Sequence, residues 1–358
     1  MSKITKPSLF GIEKSNRDFT QKDSWGKNKF NSSFPVSLAC YMGSKGLKPK
    51  YLKLSDKMKV VHDFITVENL FGLKFDSKNL YFAFESNYVP YQKFVSGKTP
   101  RIDVVTLDSE SNFCQRGLEI KLTALPDNST CYYSEQKYGC EIVTRPNTIV
   151  YMALNLSLAF EKDMADVKEF LAPFNRINDW TEGFKVLPHL PKMLKAMDDL
   201  LLANLKKQKP LVIQPIWKTM GKSAQLHKDC FDIFVWSDFA FTRLFFDVAK
   251  TELDGNRSVV SRQVRAVVWL TKMLLDFSVN GKIDYNKVID ELSYNTKNDK
   301  AFSVNGRVTQ PYMASDELLN PRIKRNELKN IILGGGQNML SPERRLDGII
   351  QSSLDLFD

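Results

Sequence analysis

The order of strand and helix patterns along the chain predicts a mixed α/β fold, and three observations support this prediction. Two apolar runs, residues 102–107 and 118–122, flank a polar segment, which is typical of two strands joined by a hairpin connection. A further apolar run, PLVIQPIWKT at 210–219, indicates another strand. Long stretches with apolar residues at helical spacing, at 148–170 and 190–207, indicate helices that pack on a core.

The N-terminal residues predict an arm followed by a basic loop. Residues 1–35 are polar and show no clear period, so we expect an arm that becomes ordered only against the core or a ligand. The short apolar run 34–41 predicts an edge strand. Residues 42–59 then carry two glycines and six lysines, which suits either contacts with phosphates or a flexible solvated loop.

Residues 55–70 predict a helix. Ser55 can cap its start, and Met58, Val61 and Ile65 recur at roughly helical spacing. A short apolar run follows before the hairpin begins.

The second half of the chain continues the alternation of strands and helices. Residues 232–236 predict a strand, and residues 237–253 predict a helix that Ser237 or Asp238 could cap. Residues 258–277 predict a strong helix with a broad apolar face. The last hundred residues are helical in pattern, polar and locally basic.

The hairpin at 99–124 carries the charged residues on which the functional prediction rests. Alternation along its second strand puts Glu119, Lys121 and Thr123 on one face, with apolar residues on the other. Its first strand holds one charge, Asp103, among apolar residues that would occupy both faces, which indicates a strand buried in a sheet. A buried carboxylate needs a partner, because an unpaired buried charge is costly.

A divalent cation would suit these side chains. Asp103 and Glu119 offer the hard oxygen ligands that Mg²⁺ takes, and the remaining positions of the ion stay open for water and a phosphate oxygen. Lys121 follows Glu119 on the same face and can orient the attacking water or stabilise negative charge on the phosphorus. These parts suit hydrolysis of a phosphodiester by in-line attack. The alternative is an ordinary solvated strand face, because Asp followed by Glu-x-Lys also arises by chance.

An Asp followed by Glu-x-Lys on the adjacent strand resembles the active-site signature of the PD-(D/E)xK nuclease superfamily. The matching residues are Asp103, Glu119 and Lys121, with Pro100 near the aspartate rather than next to it. The longer strings RIDVV and LEIKLTALPD resemble the HindVP-type family of type II restriction endonucleases. The resemblance extends through most of the chain, whose 358 residues suit such an enzyme.

This resemblance implies an α/β (α+β mixed) fold with a PD-(D/E)xK restriction-endonuclease-like core. In that fold a central mixed sheet is flanked by helices, and helical additions follow at the C-terminal end. Residues 1–54 would form the arm and basic loop, residues 55–253 the nuclease catalytic core, and residues 254–358 a helical region packed on the core.

The resemblance also implies a function. We expect Mg²⁺-dependent cleavage of double-stranded DNA at a short palindrome of the form GRCGYC, leaving 5′-phosphate ends. A palindrome read by one kind of chain implies a homodimer in which each subunit cuts one strand. A companion DNA methyltransferase is expected as a separate protein. Two other functions stay open: a repair or recombination nuclease that recognises DNA structure, and a non-catalytic DNA-binding protein.

Further residues are candidates for the same site. The backbone carbonyl of Ile120 is a candidate metal ligand. In this nuclease fold a helix ahead of the hairpin often adds an acid, and we favour Glu85 over Glu68 because it lies nearer in sequence. For both residues an ordinary surface glutamate is the stronger alternative. Basic residues near the site could contact the DNA backbone or be plain surface charges. These candidates are Lys137, Arg145, Lys218 and Lys222.

Charge and cysteine content limit the partners and the compartment. The chain has a net charge of +10 and a pI near 9.1, which favours an anionic partner such as nucleic acid, an acidic membrane or an acidic protein. Its five cysteines form no CxxC and its three histidines lie far apart, so we expect no zinc site and a reducing, cytoplasmic location. No signal-peptide pattern opens the sequence, and the apolar run 149–160 is too short to cross a bilayer.

Overall fold

A mixed sheet forms the centre of the computed structural model, and helices cover both of its faces. Its strands come from distant parts of the chain. The residues that the structure describes are 24–74, 79–108, 110–126, 142–220, 225–251, 260–296, 302–304, 321–328 and 331.

The central sheet contains both parallel and antiparallel pairs. Its nine strands, within the described residues, are β1 (Lys50–Leu54), β2 (Val60–Phe64), β3 (Leu80–Asn87), β4 (Arg101–Asp108), β5 (Phe113–Ile120), β6 (Thr123–Pro126), β8 (Pro210–Thr219), β9 (Leu226–Ser237) and β11 (Ile323–Lys324). Their order is β2-β1-β9-β8-β5-β4-β3, with β6 also beside β8 and β11 beside β9. The pairs β1–β9, β5–β8 and β6–β8 are parallel and the others antiparallel. A separate pair consists of β7 (Ile142–Thr144) and β10 (Phe302–Val304).

The helices divide between the two faces of the sheet. Their bounds are α1 (Ser24–Ser44), α2 (Val67–Phe71), α3 (Pro146–Phe160), α4 (Met164–Leu171), α5 (Gly183–Val186), α6 (Leu190–Ala203), α7 (Asp238–Lys250), α8 (Arg262–Asn280) and α9 (Tyr285–Glu291). On β9, Ile233 and Val235 pack in the apolar cluster that contains α1 and α2, whereas Phe234 and Trp236 pack with α3, α6, α7 and α8. This alternation is what a strand buried on both faces requires. The predicted mixed α/β fold with a central mixed sheet is therefore confirmed. No helix in the described ranges is long and apolar enough to cross a membrane.

The region expected to contain an arm and an edge strand contains a helix instead. Helix α1 runs through residues 34–41, so the predicted edge strand is wrong. The buried side chains of Phe34, Leu38 and Met42 recur every four residues, which is helical spacing. Further apolar residues between them hid that period in the sequence. Residues 1–23 lie outside the described ranges.

The predicted helix at 55–70 is also wrong. Strands β1 and β2 form an antiparallel hairpin here, with Leu54 opposite Val60, and only the short helix α2 follows. Ser55 organises the turn: its N–H and its hydroxyl both donate to the carbonyl of Lys59, at 2.9 Å each. The alternating KYLKL of β1 and the β-branched start of β2 favour strands, and this preference outweighed the loose helical spacing. Strand β1 also occupies part of the expected basic loop.

Most other predicted elements are confirmed. Strand β8 spans the predicted residues 210–219, and the Ser237 side chain caps α7 as expected. Helix α6 covers most of the predicted 190–207. The predicted helix at 148–170 is divided into α3 and α4, because a 3-10 turn at Glu161–Asp163 interrupts it.

A buried ion pair ties the C-terminal part of the chain to β9. Asp232 is fully buried, and its carboxylate accepts two bonds from Arg322, with Nη2–Oδ1 at 2.6 Å and Nε–Oδ2 at 3.1 Å. Arg322 also donates to the carbonyl of Lys48. Burial raises the pKa of Asp232, and the guanidinium opposes that rise. Parts of the chain from both outer regions thus attach to β9, and the three-region division stays a prediction.

Arg322→Ala should lower the free energy of unfolding by about 3 kcal/mol, because it leaves the buried Asp232 carboxylate without its partner. Urea titration followed by circular dichroism measures the loss. Lys195→Ala is the control. It removes an exposed pair with Asp199 on α6 and should cost less than about 0.5 kcal/mol. Equal losses in the two variants would contradict the importance of the Arg322 pair.

Candidate active site

Strands β4 and β5 diverge at Asp103 and Glu119, the two acidic residues predicted from the sequence pattern. The antiparallel ladder between them ends at the pair Val104–Leu118. One step further on, Asp103 lies across from Glu119, but β5 now pairs with β8, where Glu119 is opposite Val212. Strand β4 stays paired with β3. The two carboxylates therefore line a gap between diverging strands, and the predicted hairpin is confirmed.

Asp103 is held inside this gap by the main chain of β5. Its Oδ2 accepts the N–H of Ile120 at 2.7 Å. Burial and the neighbouring charge of Glu119 raise the pKa of Asp103 well above its usual range, whereas Lys121 and the Ile120 bond oppose that shift. Asp103 is thus held close to a second acid, Glu119.

Glu119 and Lys121 form a mostly buried ion pair. Lys121 Nζ lies 2.6 Å from Glu119 Oε1, and the two side chains are only 14% and 10% exposed. The Thr148 hydroxyl approaches the same oxygen at 3.4 Å. Among the described residues, both hydrogen-bond contacts to this carboxylate fall on Oε1, which leaves Oε2 for another ligand.

Glu85 also belongs to this group of acids. It lies on β3, between Ser86, which pairs with Ile102, and Phe84, which pairs with Val104. Its φ of 48° places it in the left-handed region, which is strained for a glutamate. Burial, followed by the charge of Glu119, raises the pKa of Glu85, and interactions with Arg101 and Asp103 oppose that rise. The acid ahead of the hairpin therefore comes from a strand and not, as expected, from a helix.

Glu68, the other candidate acid, lies on α2. The acids whose charges act on Asp103 are Glu119 and Glu85. The structure thus places Glu85 near Asp103, and its role in metal binding stays a prediction.

The main chain of Ile120 faces the same gap. Its N–H points to Asp103, whereas the next N–H, that of Lys121, donates to the Ile213 carbonyl of β8 at 2.9 Å. The N–H and C=O of one strand residue point toward the same neighbour. The carbonyl of Ile120 is therefore directed to the side of Asp103.

This set of oxygen donors suits Mg²⁺. In the part of the chain that the structure describes, no group of three or more His, Cys, Asp or Glu side chains could hold a metal ion unaided. Mg²⁺ does not need such a cage, because it binds through one or two carboxylates and completes its shell with waters and substrate phosphates. Asp103, Glu119 and the Ile120 carbonyl satisfy that requirement.

Helix α3 adds two polar residues that the sequence did not reveal. Besides the Thr148 contact to Glu119, the hydroxyl of Tyr151 donates to the carbonyl of Arg101, two residues before Asp103. Burial raises the pKa of Tyr151, and the nearby charges of Glu119, Asp103 and Glu85 raise it further. Polar residues inside an otherwise apolar helix are the signal that could have identified both.

The candidate DNA contacts are placed unevenly. Arg145 is exposed and is the N-cap of α3, next to the site. Lys218 is buried on β8, where it pairs with Leu125 of β6. Lys137 and Lys222 lie outside the described residues.

Comparisons with known proteins identify the family of this chain. The family model described as HindVP restriction endonuclease matches residues 25–357. The type II restriction enzyme HgiDI of Herpetosiphon aurantiacus is 44% identical over 356 residues, which is 99% of this chain and 98% of that enzyme. The probable type II restriction enzyme HindVP of Haemophilus influenzae is 40% identical over 352 residues, 98% of this chain and 95% of the relative. No solved structure gives a significant match.

Asp103→Asn should stabilise the metal-free protein at neutral pH. Because the pKa of Asp103 is raised in the folded chain, folded protein binds the proton more tightly than unfolded protein. The contribution of Asp103 to the free energy of unfolding is therefore largest at low pH. It is lost as the pH rises from about 3.9, the usual pKa of aspartate, through the raised pKa of the folded chain. The uncharged amide removes that loss, so we expect Asp103→Asn to unfold at a higher urea concentration than the wild-type protein at pH 7.

Urea titrations in EDTA at several pH values measure this effect. The exposed Asp56→Asn is the control and should change nothing. A destabilised Asp103→Asn protein at pH 7 would show that the wild-type carboxylate is well satisfied without a metal.

Proposed function

The chain belongs to the HindVP restriction endonuclease family, and from this premise we propose that it cuts double-stranded DNA at a short palindromic site with Mg²⁺ as cofactor. It is a type II restriction endonuclease, that is, a site-specific deoxyribonuclease. The observation that carries the proposed chemistry is the gap between β4 and β5, where two carboxylates, a carbonyl and a lysine meet.

Asp103, Glu119 and the Ile120 carbonyl hold the metal in this proposal, with Glu85 as a further acid beside Asp103. Bound Mg²⁺ supplies positive charge that offsets the charge of the scissile phosphate. The strands fix the directions of these ligands before DNA arrives, which reduces reorganisation during the reaction.

Lys121 is the proposed partner of the attacking water. Its ammonium group is held at Glu119 Oε1, at the edge of the gap. There it orients the water and stabilises negative charge on the phosphate oxygens as the transition state forms. The water oxygen would bond to phosphorus and release a proton to solvent, the P–O3′ bond would break, and the departing O3′ would take up a proton. The ends would then carry a 5′-phosphate and a 3′-hydroxyl.

Membership of the family supports a proposal for the target and the assembly. We propose GRCGYC as the recognition site, and a two-fold homodimer that places one such gap at each strand of the palindrome. A separate companion methyltransferase would protect the host DNA, and the cytoplasm is the proposed location. Arg145, Lys137 and Lys222 are the proposed contacts to the DNA backbone, whereas Lys218 is not proposed, because its side chain is buried in the sheet.

Plasmid digestion tests the proposed function. The wild-type protein with Mg²⁺ should give discrete bands, and EDTA should abolish them. Asp103→Ala and Lys121→Ala should each lower the cleavage rate by at least about 100-fold while leaving the fold intact. Lys192→Ala, an exposed lysine on α6, is the matched control and should cut normally.

Each other outcome of this digestion has a definite meaning. Smears or cuts at branched DNA would favour a repair or recombination nuclease. A lack of cleavage with either Mg²⁺ or Mn²⁺ would favour a non-catalytic DNA-binding protein, in which the three charged residues form only an ionic cluster. Normal cutting by Lys121→Ala would remove Lys121 from the site.

Arg145→Gln should weaken DNA binding to a similar extent on all sequences, because a phosphate contact carries no sequence information. Binding should fall steeply with salt, and loss of one contact should reduce the slope of log K against log salt by about 1. Fluorescence anisotropy with a duplex in Ca²⁺ or EDTA measures both quantities. Arg176→Gln, at an exposed arginine that ends a 3-10 turn packed on α8, is the control, and an equal slope for both variants would contradict the assignment.

A further inference from the structure

Helix α3 presents two hydroxyl groups to the strands of the candidate active site. Thr148 and Tyr151 are three residues apart, so they lie on one face of the helix, and they are only 1% and 4% exposed. Most other buried residues of α3 are apolar. Ser157, further along the helix, bonds back to the carbonyl of Ala153 within the same helix.

Thr148 acts on Glu119. Its hydroxyl and the ammonium group of Lys121 converge on the same carboxylate oxygen, Oε1. Two donors on one oxygen restrict rotation of the carboxylate and keep Oε2 directed away from them. The Thr148 distance of 3.4 Å is long for a hydroxyl donor, and contacts of this kind often tighten only in the substrate complex.

Tyr151 acts on the strand that carries Asp103. Its hydroxyl donates to the carbonyl of Arg101, the first residue of β4. This end of β4 is not paired with β5, because the ladder between the two strands covers only residues 104–108 of β4. On the other side this stretch is held by β3, through the pairs Asn87–Arg101 and Ser86–Ile102. Tyr151 thus provides a second anchor for a strand end that has lost one of its neighbours.

We infer that Thr148 and Tyr151 are positioning residues that fix the carboxylates of Glu119 and Asp103 in the geometry required to bind the metal. This inference rests on the proposed function. Groups of this kind, which hold metal ligands without touching the metal, typically change metal affinity or activity 10- to 100-fold when removed. Their loss should therefore weaken metal binding more than DNA binding.

Tyr151→Phe and Thr148→Val test the inference, because each removes a hydroxyl and keeps the shape of the side chain. The dissociation constant for Mn²⁺ alone, measured by electron paramagnetic resonance of the free ion, should rise about 10-fold or more. The Mg²⁺ concentration for half-maximal plasmid cleavage should rise in parallel, and high Mg²⁺ should restore much of the rate. Affinity for a duplex in EDTA should stay at the wild-type value.

Two controls separate positioning from general stability. Ser157→Ala removes a buried hydroxyl of the same helix that bonds only within α3, and its metal affinity should equal that of wild type. Thr148→Ser keeps the hydroxyl and should recover most of the metal affinity that Thr148→Val loses. If Tyr151→Phe fails to fold, the Thr148 pair of variants still decides the question.

The possible failures are distinguishable. A wild-type protein that binds no Mn²⁺ and cuts no DNA contradicts the proposed function itself. A wild-type protein that does both, with Thr148→Val and Tyr151→Phe no weaker in metal binding than Ser157→Ala, contradicts only the roles of Thr148 and Tyr151.

Discussion

The hydrogen bond from the Ile120 N–H to the Asp103 carboxylate is the contact on which the candidate active site depends. In a continued ladder this N–H would bond to a backbone carbonyl of β4. Here the Asp103 side chain takes the place of that carbonyl, so β5 can separate from β4 and pair with β8. Without this acceptor the Ile120 N–H would be unsatisfied, which would cost about 1–3 kcal/mol. The same hydrogen bond therefore accompanies both the separation of the strands and the convergence of the candidate metal ligands.

The sequence allowed prediction of those parts of the site that depend on neighbouring residues. A lone charge in an apolar strand, and alternation in the strand after it, identified Asp103, Glu119 and Lys121 without tertiary information. Thr148 and Tyr151 could not be found in this way, since their partners lie 29 and 50 residues away along the chain. The wrong helix at 55–70 has a different cause: its spacing was weakly helical, and pairing in the sheet outweighed local preference.

Two largely buried aspartates of this protein, Asp232 and Asp103, have opposite electrostatic environments. The guanidinium of Arg322 donates two hydrogen bonds to the Asp232 carboxylate, so the charge of Asp232 is balanced within the chain. Asp103 instead lies near two other acids, Glu119 and Glu85, whose charges are unfavourable to its own. The left-handed backbone of Glu85 is a further unfavourable feature of the same region. Departures from local rules that cluster in this way are typical of functional sites, where part of the balance comes from a ligand.

The long-range pairing of the sheet has a consequence for how the protein is made. Strand β8 draws β5 away from β4, yet it begins at Pro210, about ninety residues after the acids that it helps to expose. A nascent chain that has not yet emerged that far can form the local hairpin but not the divergence of its strands. Contacts of such sequence separation form late in folding. The gap that holds the candidate acids can therefore form only after residues 210–219 have been synthesised.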